Sequence, residues 1–81
     1  MNKKRRKELD MLIPRIEKIK GELESLMKEE QEYFENMPEN LYGSERHEIA
    51  GNAICGMEYA IDELENAISN IKAACIKTLY I

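Results

Sequence analysis

Apolar residues recur along the first half of the chain at steps of three and four. Leu9, Leu12, Ile16, Ile19, Leu23, Leu26, Glu30, Tyr33 and Met37 form one unbroken seam, in which only Glu30 is not apolar. Ile13, Met27 and Phe34 widen that stripe on one flank. This is the period of an amphipathic helix with one column more than a two-helix seam needs. Glu17, Lys18, Lys20, Glu22, Glu24, Lys28, Glu29 and Glu32 mostly fill the other face. A helix over about residues 3–36 follows. Pro14 interrupts it, because proline removes a backbone hydrogen bond and clashes with the preceding turn. Either the helix kinks near residues 10–14 or its firm part begins close to Pro14, where a first turn tolerates proline. The seam keeps its phase across Pro14, which favours a long, kinked helix.

The pattern then breaks. Residues 37–43 hold Pro38, Asn40 and Gly43 and read as a loop. The residue before a proline is pushed out of the α region, so the first helix should stop near Asn36. Ser44 is placed to cap a second helix, with Glu45 and Glu48 in its first turn, where negative charge is favoured. That helix is expected over about residues 45–78. Its seam is Ala50, Ile54, Met57, Ile61, Leu64, Ile68, Ile71 and Cys75. Beside it runs a column of Ala53, Ala60, Ala67 and Ala74, spaced by seven, which would let a neighbouring helix come close. Gly51 and Gly56 weaken the start of this helix and mark either a close approach or mere tolerance.

Two helices joined by so short a loop run antiparallel. The expected fold is therefore all-α: an antiparallel helical hairpin forming one domain over residues 1–81. Both stripes are about three columns wide, where a two-helix contact covers two. A lone hairpin would leave much of that surface wet, so the hairpin is expected to assemble into a homo-oligomeric bundle. A homodimeric four-helix bundle is the smallest closed solution.

Charge and composition narrow the function. The 81 residues carry a net charge of -4, with 43% hydrophobic and 35% charged residues. This excludes a disordered tail or a collagen-like chain. Lys3, Lys4, Arg5, Arg6 and Lys7 make a basic head, read as a solvated, fraying terminus that could also touch phosphates or an acidic partner. The body is acidic, which argues against duplex nucleic acid. No apolar run reaches membrane-spanning length, and no secretory core follows the basic head, so a cytoplasmic location is expected. Cys55 and Cys75 fall about 30 Å apart along one helix and cannot pair within the chain.

No nucleotide loop, zinc motif or nucleophile elbow is present, so neither an enzyme nor a cofactor is expected. The one gathering of unlike groups is at the turn. Glu30 lies in an apolar seam and should find a cation, with Arg46 or His47 brought back to its level. His47 itself reads as a surface residue of the first turn. Tyr33, Asn36 and Tyr42 lie nearby. One reading is a polar latch that fixes helix register. The other is a ligand site, in which Tyr33 and Tyr42 stack a base, Asn36 reads its edge, and Arg46 with the helix start at Ser44 holds a phosphate.

Asn36-Met37-Pro38-Glu39-x-Leu41-x-x-Ser44-Glu45-Arg46, set between a Leu/Glu/Lys-rich helix and Ala60-Ile61-Asp62-Glu63-Leu64-Glu65-Asn66-Ala67-Ile68, carries a resemblance. Over roughly residues 3–74 the chain resembles a family of short helical-hairpin proteins of bacteriophages and bacterial mobile elements. Met37 stands where that family usually has Leu, and Gly51, Cys55 and Gly56 depart from its more acidic second helix. The resemblance implies a non-enzymatic accessory protein of the host-cell cytoplasm. It would act by binding, either inhibiting a host defence protein or sequestering a small anionic or nucleotide signal. The alternative is a structural dimerisation or scaffold module with no ligand.

Overall fold

A computed structural model describes residues 1–76 of the chain. Its regular elements are helices: α1 (Lys3–Asp10), α2 (Leu12–Glu35) and α3 (Glu45–Cys75), with a single 3-10 turn at Glu39–Leu41 between α2 and α3. The all-α class follows directly. The chain forms a rod of 63 × 17 × 14 Å. Among the described residues, no helix is long and apolar enough to cross a membrane.

The break between α1 and α2 has a chemical cause. Pro14 has no N–H to give to the carbonyl of Asp10, so the ladder lapses there although Met11 keeps helical dihedrals. Met11 N–H still reaches Lys7 O at 3.1 Å, so the break is confined to this one residue. The basic head is helical, not frayed. Asn2 accepts from Arg5 N–H at 2.8 Å, and this cap offsets the unfavourable placement of cations at a helix start.

α2 ends at Glu35 with Asn36 as its C-cap, just before Met37, the residue that Pro38 pushes out of the α region. Gly43 takes a φ of 81°, a left-handed value open to glycine at no steric cost, and it turns the chain into the cap of α3. Ser44 accepts from His47 N–H at 3.2 Å, with Glu45 and Glu48 in the first turn. α3 ends at Cys75, and Ile76 is extended. The helix expected to about Thr78 is therefore already left at Ile76, and residues 77 and 78 lie outside the described residues.

α2 and α3 lie side by side in opposite directions. Lys20 near the start of α2 bonds Glu65 near the end of α3, while Phe34 at the end of α2 stacks on His47 at the start of α3. α1 reaches the far end of α3, where the Cys75 thiol donates to Arg6 O at 3.7 Å. The buried residues are Ile13 on α2, Met37 in the turn, and Ala50, Ile61 and Ile68 on α3.

The contact face of α2 is rotated from the expected seam. Ile13, Ile16, Leu23, Met27 and Phe34 turn towards α3 and are buried or half-buried. Leu12, Ile19, Leu26 and Tyr33 turn away, with Ile19 53%, Leu26 56% and Tyr33 48% exposed. The flanking column of the sequence pattern is thus core, and half of the central seam is surface. Phe34 packs on α3 beside Gly51, where a Cβ would stand 3.4 Å from Phe34 Cε2, and its ring stacks on His47. With Phe34 on the contact face, the adjacent Tyr33 lies outwards. A Cβ at Gly56 would meet nothing within 4 Å, so that glycine is merely tolerated.

Candidate functional site

The turn gathers residues from α2, the loop and α3. His47 is its centre and is half-buried, not a free surface residue. Its ring stacks on Phe34 with centroids 4.3 Å apart and planes inclined by 16°. Tyr42 also lies against it, with centroids 5.1 Å apart and planes tilted by 31°. Gly43 N–H donates to His47 Nδ1 at 3.3 Å. The backbone N–H of His47 is taken by the Ser44 cap. Two aromatic rings and one ring nitrogen of His47 are therefore engaged inside the protein. This arrangement holds the turn against α2.

The remaining candidates divide. Tyr33 and Arg46 share one shallow depression on the side of the rod, with Glu45 and Ile49. Tyr42 is exposed on its outer face, and Asn36 is exposed. Ser44 is occupied as a cap. Glu30 is half-buried, and among the described residues it makes no ion pair with Arg46 or His47. Partial access to water removes the need for one. Tyr33 and Tyr42 do not form a common stacking platform, because Tyr42 belongs to the His47 stack and Tyr33 to the depression.

The ion pair present among the described residues is elsewhere. Lys20 Nζ lies 3.2 Å from Glu65 Oε1. The hydrogen bond to Glu65 raises the Lys20 proton affinity above the ordinary lysine value, with Glu24 and Glu17 adding to the field. Glu17, Ser69 and Lys72 border the same charged depression. Cys55 and Cys75 are both free thiols, the first exposed and the second half-buried. Among the described residues no group of three His, Cys, Asp or Glu is placed to hold a metal ion.

What the sequence reading missed is the stacking of Phe34 on His47. Phe34 and Gly51 were both visible in the pattern, but nothing in the spacing says that one fits over the other. Comparison with protein-family models, curated proteins and solved structures gives no match for this chain.

Proposed function

We propose that the chain is a helical hairpin that works by binding rather than by catalysis, and that its first partner is a second copy of itself. In this reading it is a structural dimerisation or scaffold module. The observation that supports it is the outward column Leu12, Ile19, Leu26 and Tyr33, four large apolar or aromatic side chains that the folded rod leaves about half exposed or somewhat less. A row of large apolar side chains left exposed at heptad spacing along one side of a small protein marks an interaction surface. The turn supports the same reading, since His47 with Phe34 and Tyr42 forms an internal latch. The resemblance to phage-type hairpin proteins adds a setting: an accessory protein of the host cytoplasm. The test is the solution mass at about 10–100 µM. A self-associating module gives at least twice the 9.5 kDa of the chain. A stable helical monomer refutes the proposal.

The shared depression of Tyr33 and Arg46 favours a second reading, capture of a small anionic ligand or contact with a host protein at the turn. Arg46 would bind the anion and Tyr33 would cover it, against the opposing charge of Glu45. Titration with cyclic and linear nucleotides should raise the melting temperature, and Arg46→Ala should abolish the shift. No shift with any nucleotide removes the nucleotide version.

A further inference from the structure

The two broad sides of the rod differ in chemistry. One carries the Lys20–Glu65 pair, with Glu17, Ser69 and Lys72 around it. The other carries the outward column of α2 and, on α3, Ile49, which is 60% exposed. Tyr33, Arg46 and Ile49 meet in one depression, which places this flank of α2 beside the matching flank of α3. Arg46 also opens the column that continues at steps of seven through Ala53, Ala60 and Ala67. Helical period keeps that column on the same side. The apolar side is thus a ridge of large residues on α2 alongside a ridge of alanines on α3.

We infer that this side is covered by a second copy of the chain running antiparallel, related by a two-fold axis that crosses the rod near its middle. The proposal rests on the reading of the chain as a self-associating hairpin and gives that reading a geometry. Three observations select the occupant and its direction.

The first is self-complementarity. Such an axis lays α2 on the partner's α2 and α3 on the partner's α3. It therefore requires the midpoints of the two ridges to lie at one level. The α2 column is centred between Ile19 and Leu26, and the four alanines Ala53, Ala60, Ala67 and Ala74 between Ala60 and Ala67. The Lys20–Glu65 bond sets the register of α2 on α3. Counting from it, the two midpoints coincide to within about one helical turn. One axis then pairs Ile19 with the partner's Leu26 and Ala60 with the partner's Ala67.

The second is charge. The turn end, residues 29–48, holds seven acids and one arginine, while Lys3–Lys7 put five cations on α1 at the other end, with Lys72 on α3. An antiparallel partner brings each basic end over an acidic turn, and does so twice. A parallel partner sets like on like along the whole rod.

The third is area. A broad side of 63 × 17 Å offers on the order of 1,000 Å², against the roughly 800 Å² that each partner buries in a stable complex. Alanines on one ridge permit the closer helix approach and the large side chains on the other fill the wider one, within the range of about 8–10 Å between packed helix axes.

The experiment combines mass with cross-linking. Leu26→Glu and Ala67→Glu should each convert the dimer to a helical monomer by sedimentation and circular dichroism, while Ser69→Glu on the charged side leaves the dimer intact. In a background of Cys55→Ser and Cys75→Ser, chains with Ala60→Cys mixed with chains carrying Ala67→Cys should form the mixed disulfide in preference to either self-disulfide. A wild-type monomer overturns both this inference and the self-association beneath it. A dimer that survives both glutamate substitutions, or is broken by Ser69→Glu, overturns the surface assignment and leaves self-association standing. A dimer broken as expected whose mixed disulfide does not predominate overturns the antiparallel arrangement.

Discussion

Replacing His47 by Ala tests the view that the turn is held by a latch. The substitution removes the stack on Phe34, the contact with Tyr42 and the acceptor for Gly43 N–H. Aromatic pairs are worth about 0.5–1.5 kcal/mol each beyond burial. A neutral hydrogen bond adds about 1 kcal/mol. Partial exposure of the cluster discounts both, so the expected loss is about 2 kcal/mol. For a chain of this size each kcal/mol moves the melting temperature by roughly 4–8 °C, and the midpoint should fall by roughly 8–16 °C. The assay is thermal and urea denaturation at one fixed chain concentration, because self-association makes the midpoint concentration-dependent. His47→Phe keeps the stacks and loses only the acceptor, so it should retain most of the stability. A Phe34→Leu, His47→Ala double-mutant cycle should show coupling between the two rings. If His47→Ala unfolds within about 0.5 kcal/mol of the wild type, well inside the stacking value, the latch account is wrong. The same holds if His47→Phe is as damaging as His47→Ala.

Further outcomes follow from local geometry. Gly21→Ala and Gly56→Ala add a Cβ into open space within helices and should each stabilise by about 1 kcal/mol, whereas Gly51→Ala should gain little because Phe34 stands 3.4 Å away; urea midpoints measure all three. Gly43→Ala places a Cβ on a left-handed residue and should cost about 1–2 kcal/mol. Ser44→Ala removes the cap from His47 N–H and should cost about 1 kcal/mol, read as an earlier thermal midpoint. Lys20→Met should leave stability at neutral pH almost unchanged, since the pair with Glu65 is solvent-screened. The folded-state proton affinity of Lys20 is raised. What the pair contributes is therefore present below the usual lysine value of 10.5 and is lost as pH climbs above it, so wild type and variant should converge in strong base.

The helical class, the break at Pro14, the stop before Pro38 and the cap at Ser44 are readable along the chain, because each is decided by nearby residues; the far end of α3 is not, since Ile76 leaves the helix where the pattern runs on. Pro14 breaks the ladder through its own missing N–H, Asn36 stops before Pro38, and Ser44 caps three residues ahead. No pairing across the molecule is needed for any of these. The candidate site was legible only as a neighbourhood. That Ser44, Arg46 and His47 return beside the end of α2 follows from the length of the loop, but the register does not: Phe34 meets His47 and Gly51, so Glu30 lies more than a turn below Arg46 and His47. The structure stacks His47 on Phe34 and sets Tyr42 against it, leaves Glu30 without the expected cation, and turns Tyr33 outwards.

The same distinction applies to the seam. Columns of one helix stand only some tens of degrees apart, so a period of three and four fits more than one rotation. Hydrophobicity favours burying any of them, and nothing within α2 separates Leu12, Ile19 and Leu26 from Ile13, Met27 and Phe34. The choice is made by the opposing helix. Phe34 lies beside Gly51 and stacks on His47, and with Ile13, Ile16, Leu23 and Met27 it occupies the face that α3 covers. Sequence alone determined that this protein has two apolar stripes; the packing of α2 on α3 decided which column was left facing outwards, because a stripe three columns wide fits more than one rotation and only the opposing helix selects among them.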